Sequence, residues 1–193
     1  MSAIFSDPPF RRGSTLCGGD LKDTGTGNDL PGTDIVGSIK AFQDIDPSTG
    51  VRYSNRLVYC TPVRWGGADT TGLDIRSKVL VVAQTLENGK PFATVSGVAA
   101  DSNAAKGQLV GVVDEYLKDA TAVKQGDVIW LVVKGPTTAY ASAGVGSGEG
   151  VQIGSAGAVL TRTSGELIGS HISPTATTGA GNIRVNLLGR FGL

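Results

Sequence analysis

Glycine recurs between short β-branched runs along most of this chain, and that pattern constrains the fold more than any other feature. There are 29 glycines in 193 residues, about twice the usual share of roughly 7%. A residue without Cβ reaches φ > 0 freely and weakens helices, so it gathers in tight turns and bulges. Interleaved with Val, Ile and Thr, these glycines predict many strands joined by tight turns. The local signals agree. Asn88-Gly89, between the apolar runs 79–86 and 92–98, predicts a two-residue hairpin, because a type I′ turn needs φ > 0 at both central positions. Asp46-Pro-Ser-Thr-Gly50 predicts a turn between 35–42 and 51–60, with Pro presetting φ and Gly taking the left-handed position. In 51–57 the alternation is imperfect: Arg52, Ser54 and Arg56 fall between Val51, Tyr53 and Leu57. Further strands are expected at 107–113, 126–133, 151–154, 157–163, 166–170 and 183–187. Turn signals every 8 to 12 residues or so indicate a barrel or sandwich. Only 114–122 has room for one or two helical turns. The expected fold class is therefore all-β: a small antiparallel β-barrel or sandwich with at most one short helix and an extended N-terminal arm.

Three regions are expected. Residues 1–33 are poor in apolar side chains and follow neither a period of 2 nor of 3.6, so they cannot form a core alone. Two readings stand for them: a solvated tail, or an arm that orders on a partner surface. Ile4, Phe5, Phe10 and Leu16, poor choices for a purely solvated tail, keep the second level with the first. Residues 34–74 read as a β-hairpin and loop extension, and 75–193 as the barrel-like core.

One run stands apart. Val128-Ile-Trp-Leu-Val-Val133 is apolar on both faces, whereas an antiparallel strand with one side in water alternates apolar and polar. Its outer face needs a cover, either a flanking segment of the same chain or a neighbouring subunit. The expectation is a homo-oligomer with Val128, Trp130 and Val132 at the interface. Trp65, beside two glycines, is expected to be exposed and to serve as a contact anchor.

Catalytic chemistry finds little support. His171, the single histidine, follows Ser170, but neighbours on a strand point to opposite faces and form no triad by themselves. It reads as a surface or edge-strand residue. The glycines of 144–150 lack the Gly-Lys-Ser/Thr of a phosphate loop, so a flexible loop is expected there. Asp44-Ile-Asp46-Pro-Ser-Thr-Gly50 fails the EF-hand pattern and reads as a turn. Asp114-Glu115 reads as the acidic start of the short helix. Cys17 and Cys60 show no metal spacing, and free buried thiols are expected over a disulfide. No catalytic residue, metal or cofactor is expected. Lys plus Arg equals Asp plus Glu, 17 each, so no net field draws nucleic acid or an anionic membrane. No signal peptide is visible, which points to synthesis in a cytoplasm.

The order of segments resembles the decoration, or cement, proteins on the heads of tailed bacteriophages. The likeness runs over about 75–193, through Val95-Ser-Gly-Val-Ala-Ala-Asp101, Gly107-Gln-Leu-Val-Gly-Val-Val113, Gly126-Asp-Val-Ile-Trp-Leu-Val-Val-Lys-Gly135, Gly157-Ala-Val-Leu160, Glu166-Leu-Ile-Gly-Ser-His171 and Ile183-Arg-Val-Asn-Leu-Leu-Gly189. It lies in texture and order, not in a diagnostic motif. The resemblance implies a homotrimeric β-barrel on the outer capsid surface, made in the host cytoplasm, that clamps neighbouring major capsid proteins with an extended arm. Phe5, Phe10, Arg11, Arg12, Leu16 and Trp65 are the expected capsid contacts. A tail or baseplate component, a carbohydrate-binding module and, more remotely, a hydrolase using His171 are the alternatives.

Overall fold

The computed structural model describes residues 12–13, 39–66, 69–87, 90–95, 109–118, 120–165 and 167–189, with the backbone alone for 82–87, 90–95 and 109. Its ten strands are β1 (Lys40–Ile45), β2 (Arg52–Trp65), β3 (Val79–Glu87), β4 (Lys90–Val95), β5 (Leu109–Val113), β6 (Val128–Ala141), β7 (Gly150–Ile153), β8 (Val159–Thr161), β9 (Gly169–His171) and β10 (Gly181–Leu188). The protein is all-β, as its glycine pattern predicts. The helix expected at 114–122 does not form: the described residues there make turns. The reason is the buried Asp114 carboxylate, which accepts from Arg12 and from the Gly13 N–H instead of facing water at a helix start. Among the described residues the one helical turn is of 3-10 type, at Ser155–Gly157.

Strands β2, β4, β3, β5 and β6 pair in succession and β6 returns to β2, which closes a five-stranded barrel. Antiparallel pairing cannot run unbroken round an odd ring, because directions must alternate. One joint must be parallel. Here it is β2–β4, through Arg64↔Thr94 and Trp65↔Val95. A second circuit, β6, β10, β9, β7 and β8, obeys the same rule and closes on β6 by the parallel pair Ala141↔Val159. The Ser142 N–H donates to the Val159 carbonyl at 3.1 Å beside that joint. Strand β6 belongs to both circuits. β2, expected in an extension spanning 34–74, is a stave of the first.

A bulge makes this sharing possible. Tyr59 pairs with Lys134 and Cys60 with Val132, which leaves Val133 over. One extra residue flips the side-chain parity of a strand. Before the bulge Trp130 and Val132 face the larger core, and after it Ala139 and Ala141 do so. Gly135 completes the bend at φ +96, where a Cβ would lie 2.3 Å from the Leu57 carbonyl oxygen.

Two cores result. The larger joins Val58 and Cys60 of β2, Val79, Val112, Trp130 and Val132 to the inner residues of the second circuit, among them Val151, Val159, Ile183, Val185 and Leu187. The smaller packs Val63, Trp65, Leu80, Val113, Ile129, Leu131 and Val133 beneath Ile75, Leu117, Ala120 and Val123. Those last four come from the loops 69–78 and 114–127. The loops are stitched together, the Thr70 hydroxyl bonding the Ala120 carbonyl at 3.2 Å and accepting the Val123 N–H at 2.9 Å. The doubly apolar run is thus covered by its own chain. Val128, Trp130 and Val132 are 0 to 1% exposed, and no surface is left on them for an oligomer interface.

Candidate functional site

What the fold leaves uncovered is the first half of β2. The Asp46 turn forms as the sequence predicts: its carboxylate accepts the Ser48 N–H at 2.7 Å and the Thr49 hydroxyl at 2.8 Å, and Gly50 sits at φ +73. Those bonds, the Ser48 N–H foremost, hold the Asp46 carboxyl below its usual range. β1 pairs with β2 from Lys40↔Cys60 to Ile45↔Arg52, so the two strands form a ribbon that runs out past the barrel. Along it Val51 is 51% exposed, Tyr53 57% and Leu57 46%. Among the described strands β1 alone has a single neighbour. Its open edge is guarded by a bulge between Gln43 and Ile45 and by the inward-pointing Asp44, two devices that discourage further strand pairing.

The ribbon is braced on its inner side. Arg184, on the outward-turned parity of β10, donates to the buried Asp44 carboxylate at 2.5 Å and to Glu115 at 2.6 Å. Ser54 adds a hydroxyl bond to Asp44 at 2.7 Å, and Thr138 one to Glu115. Burial opposes the Arg184 charge, but its two carboxylates outweigh that and raise its pKa. Strand β1 and the turn at Glu115, distant in sequence, are therefore fastened to one guanidinium on β10, and the exposed side chains stand on a fixed support.

Where the ribbon meets the barrel, a groove of about 300 Å³ opens between β2, β6 and β10, lined by Arg56, Leu57, Tyr59, Lys134, Pro136 and Leu188 among others. Tyr59, Lys134 and Leu188 lie in one cross-strand row. A larger open cleft, about 880 Å³, lies beside Asp74, Arg76, Lys78, Glu115 and Tyr140. Its charges are already committed. Arg76 holds Asp74 at 2.5 Å and lowers that carboxyl's pKa, Glu115 holds Arg184, and the Lys78 ammonium rests 3.5 Å from the Tyr140 ring centre. The floor carries Ser77 at φ +59, pinned between the Val113 carbonyl and the Tyr140 N–H.

The residues expected to touch a capsid are scattered. Phe5, Phe10, Arg11 and Leu16 lie outside the described residues. Arg12 is buried: its guanidinium pairs with Asp114 at 2.8 Å and lies 4.9 Å from the Tyr116 ring centre. Burial opposes its charge as well, and Asp114 overrides it. Gly13 follows at φ +78, where a Cβ would come within 2.5 Å of the Tyr116 carbonyl oxygen. Arg12 is an internal anchor of the leading segment, not a contact held out to a partner. Trp65 is 3% exposed. It ends β2 against the Gly126 and Asp127 backbone, with hydrogen bonds of 2.7 Å in both directions, and the loops 69–78 and 114–127 close over it.

His171 corrects another expectation. It is 1% exposed, in a strand flanked on both sides by β10 and β7, and its Nδ1 meets the Gly146 carbonyl at 3.0 Å. The segment 144–150 is a stapled turn, with the Glu149 carboxylate accepting the Gly146 N–H at 2.9 Å and the Gly148 N–H reaching the His171 carbonyl at 3.0 Å. Cys60 is a buried free thiol, which burial pushes well above its ordinary pKa. Cys17 lies outside the described residues. Sequence reading missed Leu57, Leu188, Arg56 and Lys134. The available signal was the broken alternation of 51–57, in which apolar and basic residues share a strand with no run of core positions.

No family model and no curated protein sequence matches the chain. Among solved structures, the chain is similar to the N base of the head fiber protein gp8.5 of bacteriophage phi29, at a TM-score of 0.43 and 11% identity, over 67% of this chain and 93% of that one. At that identity and TM-score the likeness carries no argument about function.

Proposed function

We propose that the chain is a structural virion protein, a homotrimeric decoration protein that binds the outer surface of a phage head and clamps adjacent major capsid proteins. Two things support this reading: the resemblance in segment order over 75–193, and the ribbon. The ribbon is the observation that carries it. A strand sealed in the core at one end holds Tyr53 and Leu57 about half exposed at the other, with Val51 just before it, on a support braced by Arg184. Solvent-facing apolar side chains on a rigid projection suit contact with another protein. The subunit contacts of the trimer fall to such exposed groups, since Trp130 and its neighbours are enclosed.

Clamping works by mass action. A protein that binds the assembled lattice and not the free subunit stabilises the lattice by its differential affinity. Three linked copies raise the local concentration of each further contact, so modest interfaces suffice. The test is the native mass of the purified chain by sedimentation, followed by co-sedimentation with empty heads of the cognate phage. A trimer that pellets with heads is the expected result. A monomer that ignores heads, or a chain that pellets with tails and leaves heads bare, overturns it.

A further inference from the structure

From the groove between β2, β6 and β10 we infer a docking site for one class of partner: an extended protein segment carrying a bulky apolar side chain flanked by carboxylates. The inference rests on the capsid-docking reading only for who that partner is, an exposed acidic segment of the shell protein.

Three observations lead there. First, the walls are apolar and open. Leu57 and Leu188, 46% and 49% exposed, line it together with Tyr59 and Pro136. Second, the charge is one-sided. Arg56 and Lys134 line the groove, and no acidic residue does. Both side chains are exposed, and the Lys134 ammonium rests 5.5 Å from the Tyr59 ring centre with no carboxylate partner among the described residues. Arg12, Arg76 and Arg184, by contrast, are each held by a carboxylate. Cations left unmatched beside exposed leucines complement a ligand with an apolar centre and acidic flanks, and rim charges of this kind steer and orient a partner. Third, the shape is fixed by the backbone. The groove lies over the bulge at Val133 and the left-handed Gly135, where any side chain would strike the Leu57 carbonyl. The close approach of β2 and β6 beneath the groove is thereby fixed.

The probe is a labelled five-residue peptide with a central phenylalanine flanked by aspartates, read by fluorescence anisotropy on the full chain. Lysine-flanked and serine-centred peptides are the controls. The aspartate–phenylalanine peptide is expected to bind at least tenfold tighter than either control. Binding should weaken with added salt, as exposed charge pairs are screened over about 10 Å at 0.1 M. The double substitution Arg56→Glu with Lys134→Glu should lower its affinity at least tenfold. Both positions are exposed, so the melting temperature should stay within about 2 °C. Leu57→Ser should lower affinity without reversing the preference for acidic flanks. The inference is overturned if the lysine-flanked peptide binds equally well, or if charge reversal leaves affinity unchanged. It is also overturned if the reversal dissolves an oligomer, because the occupant is then a second copy. Head co-sedimentation separates the two readings. Heads still bound by the charge-reversed chain remove the groove inference alone. A wild-type chain that binds the peptide and ignores heads removes the capsid reading alone.

Discussion

Strands β2 and β6 are both 14 residues long and lie side by side, yet they meet water in opposite ways. β6 is buried over almost its whole length, first between two cores and then inside the second circuit. β2 is sealed from Val58 onward and exposed over most of 52–57. The difference teaches where each function of the molecule resides. A strand enclosed on both faces specifies the fold and offers a partner little beyond Lys134, which its bulge turns out to the groove. A strand that leaves the barrel midway carries contact chemistry on a rigid root.

The sharpest attempt to break that contrast is Trp130→Ala. Removing a fully enclosed indole costs about 3–5 kcal/mol, read by chemical denaturation, and a loss below about 1 kcal/mol would deny β6 its central place. Next comes Asp114→Ala, which strands the buried Arg12 guanidinium. One-sided removal of a buried pair costs roughly 3 kcal/mol, and trypsin should then cut after Arg12 in a chain that otherwise resists there. Arg184→Met releases the ribbon's brace for about 1–2 kcal/mol, with faster amide exchange in β1 than in β6 as the marker. Tyr53→Ser and Leu57→Ser should each change stability by less than about 0.5 kcal/mol while abolishing co-sedimentation with heads. That pairing of a small stability change with lost binding is the signature of a contact surface.

The smallest effect concerns acid. Asp46, Asp74 and Glu149 have carboxyls held low, by the Ser48 N–H, the Arg76 guanidinium and the Gly146 N–H respectively. A carboxylate with a depressed folded value contributes stability above its unfolded value, near 4, and loses it as pH falls through the folded one. Stability should therefore be level near neutrality and decline below about pH 4. All three groups are exposed enough for water to screen them, so the decline is modest. Amide exchange at Ser48 and Thr49 should quicken first, and β6 amides should hold.

Local chemistry made much of the fold legible. Asn88-Gly89, which lies outside the described residues, predicts a hairpin, and the strands on either side of it do pair antiparallel, Glu87 opposite Lys90. Ile183, Val185 and Leu187 alternate in the sequence and are buried in the structure. Long-range cover was not legible. The run at Trp130 announces that both faces need partners, but nothing local says that residues 69–78 and 114–127 supply one of them. Trp65 misleads for the same reason: glycine neighbours suggest exposure, while the residues that enclose it are far off in sequence. Arg12 is the extreme case, its partner Asp114 standing 102 positions away. The groove was the least legible feature of all. It is made by a parity flip at Val133, and a flip shows only once the pairing partners of both edges are known.

Because β6 is a wall common to both circuits, neither can open without tearing the other. The described strands have no seam along which they divide. Cutting the chain anywhere in 128–141 should yield no independently folded half, and heating should give one sharp transition in place of two. A protein built this way fails all at once or not at all, so a load applied at the ribbon is shared by every strand behind it.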